Sequence, residues 1–116
     1  MRRAAKVDAN HADVSAMFRK LGCQVTDTSR LGKGFPDLMV LCRRRVRLVE
    51  VKDGRRPPSE RKLTPDQMAF HLVWPVEIVY DTGDVQELVN WWNSIEGRSS
   101  AKTLLEERRI RGKAQA

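Results

Sequence analysis

The spacing of apolar residues predicts a helix followed by short strands in the first half of the chain. Residues 9–21 have apolar side chains at helical spacing, namely Val14, Met17, Phe18 and Leu21. Asp8 is suited to cap the start of this helix, and Gly22 is suited to end it. Three β-rich runs follow at residues 24–28, 37–42 and 46–52, and a basic turn at 43–45 joins the last two as a hairpin.

The second half of the chain predicts a helix, a strand and another helix. Thr64 and Gln67 have the spacing of a capping box, with Pro65 between them at the first helical position. Residues 76–80 form a strand candidate, and a final helix is expected to run from Asp84 through Trp91 and Trp92. The order α-β-β-β-α-β plus a helix fits one α/β domain over residues 1–95, followed by a basic tail over residues 96–116.

The hairpin places three ionisable side chains close together. Side chains alternate along a strand, so Glu50 and Lys52 share one face of the second hairpin strand. Asp37 precedes Glu50 by an odd number of residues, which suits a two-residue turn and sets Asp37 opposite Glu50 or Lys52. Two carboxylates can bind Mg²⁺ through oxygen, and a nearby lysine can stabilise a phosphate. By spacing alone, a structural ion pair explains these residues equally well.

The charge balance favours a polyanionic partner. The 116 residues include 22 Lys and Arg against 15 Asp and Glu, for a net charge of +7. The two cysteines and two histidines lack zinc-site spacing, and both thiols are expected to be buried and reduced. No run of residues has the length and hydrophobicity of a membrane span or signal peptide, so we expect a cytoplasmic protein that does not engage a membrane.

The wider set of motifs resembles the VRR-NUC branch of the PD-(D/E)XK nuclease superfamily, in its stand-alone phage or bacterial form. The resemblance covers residues 8–92, and it rests on these segments in this order: Asp8-Ala9-Asn10 with Asp13, Gly34-Phe35-Pro36-Asp37-Leu38, Glu50-Val51-Lys52-Asp53-Gly54, Pro57-Pro58, and Leu63-Thr64-Pro65-Asp66-Gln67 with His71. It implies a mixed four-stranded sheet flanked by helices.

The resemblance also implies roles for particular residues. Asp37 and Glu50 would bind Mg²⁺, for which Mn²⁺ could substitute, together with the backbone carbonyl of Val51. Lys52 would serve the attacking water. Asp13, where the family commonly has Glu, would reach the metal through a water molecule, although a solvated helix acid remains the alternative.

Several further residues keep two interpretations. The family tends to place a glutamine equivalent to Gln67 at the active site, but the capping box already gives Gln67 a structural role. The basic residues Arg30, Lys33, Arg55 and Arg56 are candidates for DNA contacts or for solvated loop positions. His71 fits a hydrogen-bonded packing residue better than a catalytic base, so it stays outside the predicted catalytic set of Asp37, Glu50, Lys52 and Gln67.

The function implied by the resemblance is a Mg²⁺-dependent, structure-selective DNA endonuclease. Its substrate class would be Holliday junctions or other branched DNA in phage or bacterial replication, recombination or repair. The alternatives are a non-catalytic basic DNA-binding module, a generic nicking or flap nuclease, and a small RNA-binding protein. Adjacent Trp91 and Trp92 cannot both face one core, so one of them is expected to meet a partner subunit in a homodimer.

Overall fold

The computed structural model describes residues 7–94, 97–98 and 102–115. Within these residues the elements follow the order α-β-β-β-α-β-α that the apolar pattern predicts, and a further helix lies in the tail. Their bounds are α1 (His11–Lys20), β1 (Gln24–Asp27), β2 (Leu38–Cys42), β3 (Arg45–Val51), α2 (Pro65–Val73), β4 (Val76–Val79), α3 (Thr82–Asn93) and α4 (Leu104–Gln115). None of the described helices is long and apolar enough to cross a bilayer.

The strands form one mixed sheet in the order β1-β2-β3-β4. The first three strands are antiparallel to one another, and β4 runs parallel to β3. Arg43 and Arg44 form the two-residue turn between β2 and β3, and both have positive φ angles, of 50° and 69°. Such a turn matches the right-handed twist of a hairpin. The predicted fold class and the even-length turn are therefore confirmed.

Helices α1 and α3 cover one face of the sheet and form the core. The fully buried aromatic residue is Phe18 on α1, which stacks on Trp92 of α3 with ring centroids 5.9 Å apart. Trp91 is partly buried and packs against this same core. On α3, Trp92 therefore belongs to the core and Trp91 lies at its margin. The contact of one of them with a partner subunit stays a prediction.

Helix α2 lies toward the other face of the sheet, beside Glu50, and α4 lies along the edge strand β4. The tail contributes α4, which is attached to β4 because the Leu104 N–H donates to Glu77 Oε1 over 2.9 Å. Trp92 Nε1–H donates to the other Glu77 oxygen, also over 2.9 Å. Burial raises the pKa of Glu77, although these two donors favour its charged form. Glu77 thus links the tail helix to the core.

The helix ends differ from the sequence prediction in two places. Asp8 does not cap α1 with its side chain: its backbone carbonyl accepts from His11 N–H, and Asn10 is the N-cap residue. The last predicted helix begins earlier, because Asp81 caps α3 by accepting from Asp84 N–H over 2.7 Å. The Asp84 carboxylate instead accepts from Tyr80 N–H and holds the end of β4.

Candidate active site

The hairpin register brings Asp37 and Glu50 side by side. Leu38 pairs with Val49, so Asp37, one residue earlier, faces Glu50, as the odd sequence separation predicts. One Asp37 oxygen accepts from the Val51 backbone N–H over 2.9 Å. The Asp37 carbonyl accepts from Thr28 N–H over 2.8 Å, which anchors the start of β2 to the loop after β1. Backbone contacts on both sides therefore fix the Asp37 carboxylate.

Glu50 is a buried acid whose surroundings disfavour its ionised form. Only 1% of its surface is exposed, and its Oε1 atom has no hydrogen-bond partner. Burial and the neighbouring Asp37 carboxyl raise the pKa of Glu50 to about 10, with a smaller contribution from Asp8 and an opposing one from Lys52. Two acids in this position favour either a shared proton or a bound cation.

Lys52 is held by the second helix. Its Nζ donates to Gln67 Oε1 over 2.9 Å, and the same oxygen accepts from Thr64 N–H over 2.9 Å. Thr64 Oγ1 in turn accepts from Gln67 N–H, which completes the capping box. Gln67 therefore has both of the roles that the sequence left open: it caps α2 and contacts the site lysine.

The glycine loop before Asp37 packs against the start of α2. Gly34 has a φ angle of +81°, and a Cβ atom built on it would lie 2.3 Å from the Asp66 backbone oxygen. A larger residue could not occupy this position without moving the helix. Gly34 thus sets the distance between the Asp37 strand and the helix that carries Gln67.

The N-terminal segment approaches the site through Asn10. Its side-chain amide donates to the Lys52 carbonyl over 3.1 Å and to the Tyr80 carbonyl over 3.0 Å. This anchor brings Asp8 close enough to act electrostatically on Glu50. Asp13, by contrast, is exposed on α1, and its charge acts on Arg55. The structure does not bring Asp13 into the acidic group, and its water-mediated contact stays a prediction.

His71 lies beside Glu50, one helical turn beyond Gln67. Its Nε2 atom is 3.8 Å from Glu50 Oε1, and both atoms are buried without a hydrogen-bond partner. Burial and the nearby Lys52 charge lower the pKa of His71, which favours the neutral imidazole. The sequence analysis placed His71 outside the catalytic set. Its spacing of four residues from Gln67 is the feature that indicates a position on the same side of α2, facing the site.

The predicted DNA-contacting side chains are exposed, but they differ in their contacts with acidic side chains. Arg30 and Lys33 belong to the loop that leads to Asp37, and both are exposed. Arg55 contacts the Asp53 carboxylate through two nitrogens at 3.1 and 3.2 Å. Arg56 approaches Glu60 at 3.8 Å. Arg55 is thus held by an ion pair, and the DNA contacts of all four basic residues stay predictions.

The residues at the site fit a hard divalent cation. Mg²⁺ is commonly bound through one or two carboxylates and keeps several waters. Asp37 and Glu50 supply two carboxylates. The Glu50 Oε1 oxygen is buried, has no hydrogen-bond partner, and is therefore available as a metal ligand. No three acid, histidine or cysteine side chains in the described part of the chain come together as a metal-binding group. The site therefore suits an ion completed by waters or substrate.

The fold has a counterpart among solved structures. A structure described as a VRR_NUC domain aligns with a TM-score of 0.53 and 27% sequence identity, over 72% of this chain and 97% of that one. The resemblance to the VRR-NUC family that the motifs indicate is therefore confirmed. Its mixed sheet and flanking helices are those of a nuclease domain. No family model matches the sequence, and no curated protein matches it.

Proposed function

We propose that this VRR-NUC domain is a Mg²⁺-dependent endonuclease that hydrolyses phosphodiester bonds in DNA. The observation that supports this best is the grouping of Asp37, Glu50 and Lys52 at one end of the hairpin, with Lys52 held by Gln67. A module that only bound DNA would gain nothing from burying a second carboxylate beside the first, because this pair opposes its own ionisation.

Each residue has a distinct part in the proposed reaction. Asp37 and Glu50 would hold the cation, with the Val51 carbonyl as a third ligand, and the cation would supply charge stabilisation at the scissile phosphate and activation of water. Lys52 provides positive charge where negative charge develops on the phosphate. Gln67 fixes the Lys52 ammonium, so the charge is oriented before substrate arrives. Arg30 and Lys33 would bind the DNA backbone next to the site.

The decisive experiment is cleavage of linear, flapped, splayed and four-way DNA with Mg²⁺, Mn²⁺ or Ca²⁺. Lys52→Ala should lose cleavage and keep DNA binding, whereas Lys62→Ala, which changes an exposed loop lysine, should retain both. We expect Mg²⁺ and Mn²⁺ to support turnover because the donors are oxygens. Full activity in Lys52→Ala would contradict the assignment.

Branched DNA and a homodimer form the finer part of the proposal. Resolution of a four-way junction needs two matched incisions, which a two-fold dimer can supply. The surface suited to this contact is the outer side of α2, where Met68, Leu72 and Val73 are 56%, 88% and 78% exposed. These residues are apolar and uncharged. Two copies of a chain with net charge +7 could therefore meet there without bringing like charges together.

The dimer can be tested by sedimentation of the wild type and of Leu72→Asp. The substitution should yield a monomer with an intact fold, because the side chain is almost fully exposed in a single chain. Leu41→Asp, at a less exposed apolar position on β2, is a control for the loss of surface hydrophobicity. A wild-type monomer that cuts flaps and linear duplex as readily as junctions would favour the alternative of a generic nicking or flap nuclease.

A further inference from the structure

The pair formed by His71 and Glu50 is unexplained by the roles given above. Both facing atoms, His71 Nε2 and Glu50 Oε1, are buried and lack a hydrogen-bond partner. Leaving two such atoms unsatisfied costs free energy, so native structures rarely retain them without a reason. Their separation of 3.8 Å is too long for a direct hydrogen bond, but it allows one water molecule to contact both.

We infer that His71 is a positioning residue that orients the Glu50 carboxylate for metal binding. In this role the His71 Nε2–H donates, through a single bridging water, to the Glu50 oxygen. The inference rests on the proposed function, since it concerns the same metal-binding carboxylate. Hydrogen-bonding partners of this kind fix the orientation of metal-binding carboxylates, and their loss typically weakens metal affinity about 10- to 100-fold.

The location of His71 supports a positioning role. Helix α2 places Gln67 and His71 four residues apart on one side, so the same helix contacts both Lys52 and Glu50. The His71 side chain is 13% exposed, so bulk water competes little for Nε2. The α2 helix is in turn set against the Asp37 loop through Gly34. One helix therefore contacts two of the site's ionisable groups.

The chain contains a matched control for this pair. His11 Nε2 lies 3.8 Å from Asp27 Oδ1, the same separation, and this nitrogen is also buried without a partner. Asp27, however, is exposed and already accepts from Ser29 through both its backbone N–H and its hydroxyl. Replacing His11 tests the general effect of removing a histidine near a carboxylate, away from the proposed metal ligands.

The test compares Mn²⁺ binding by the wild type, His71→Leu, His71→Gln and His11→Leu, measured by electron paramagnetic resonance and calorimetry. His71→Leu should bind Mn²⁺ about 10- to 100-fold more weakly, while its DNA affinity without divalent ions is unchanged. His71→Gln, which retains an N–H donor, should recover most of the affinity, and His11→Leu should match the wild type. Urea unfolding of each variant identifies any loss of fold.

The outcomes separate this inference from the proposed function. Wild-type affinity in a folded His71→Leu would overturn the positioning role alone. A ¹⁴N coupling in the Mn²⁺ spectrum that disappears in His71→Leu would also overturn it, because His71 would then be a direct ligand. If the wild type bound no Mn²⁺ and cut no DNA, the proposed function would fail and this inference with it. If His71→Leu unfolds, His71→Gln decides: weak binding by that folded variant contradicts the inference.

Discussion

Replacing Glu50 by Gln should stabilise the protein in the absence of divalent ions. Glu50 is almost fully buried next to Asp37, and its pKa in the folded state is about 10 against an ordinary value of 4.5. Between these two values the folded chain keeps a proton that the unfolded chain releases. Stability of the wild type is therefore expected to fall as pH rises through this interval. Glutamine has nearly the same shape and cannot ionise.

The magnitude follows from the interval between the ordinary pKa and the working pH. From 4.5 to pH 7, at about 1.4 kcal/mol per unit, the upper limit is roughly 3.5 kcal/mol. The protonated Glu50 carboxyl hydrogen-bonds to Asp37, which offsets part of this cost in the wild type, so we expect Glu50→Gln to raise the free energy of unfolding by about 1–3 kcal/mol. That corresponds to an increase in Tm of about 4 °C for each kcal/mol.

The assay is urea unfolding of wild type and Glu50→Gln at several pH values between 5 and 9, in EDTA. The difference should be small near pH 5 and should grow with pH, and Mg²⁺ should narrow it because only the wild type gains stability by binding the ion. Glu60→Gln changes an exposed acid and should alter stability by under about 0.5 kcal/mol. A Glu50→Gln protein that is less stable than the wild type at pH 8 would refute this reasoning.

Three further predictions concern the surrounding structure. Gly34→Ala should destabilise the chain by about 2 kcal/mol or more, measured by urea unfolding, because its Cβ would meet the α2 backbone. Gly32→Ala has a positive φ but open space and should cost about 1 kcal/mol. Glu77→Ala should cost about 2–4 kcal/mol in the same assay, since it leaves a buried indole and the first amide of α4 unpaired. Deleting residues 98–116, which carry six basic and two acidic residues, should weaken DNA binding and reduce its salt dependence in a titration; an unchanged slope would contradict this.

The sequence predicted the β2–β3 hairpin and the placement of Asp37 beside Glu50 because both depend on local geometry. Strand alternation and an even-length turn determine which residues face each other across a hairpin, and no long-range information is needed. The capping box at Thr64 was recognisable for the same reason. Its contact with Lys52 was left open, because it depends on how α2 packs over the sheet and not on the helix itself.

The positions of Asp8 and Asp13 could not be predicted from local sequence patterns. A helical wheel places Asp13 at the edge of the apolar stripe, which allows it to face inward or outward. The outcome is set by Asn10, whose amide binds two backbone carbonyls more than forty residues away. That anchor brings Asp8, just before α1, close enough to act on Glu50, whereas Asp13 is exposed. No periodicity in the sequence encodes such a contact.

The position of α2 connects the proposed catalytic and dimer surfaces. Gln67 and His71 lie on the side of this helix that faces the site, whereas Leu72 and Val73 are exposed on its outer side. No residue of this helix belongs to the buried core, so α2 is held by peripheral contacts such as those of Phe70 with Phe35 and of Gln67 with Lys52. A second copy on the outer side would limit its motion and, with it, the motion of the groups that hold Lys52 and Glu50. Formation of the proposed dimer would therefore order each active site and also bring two active sites together.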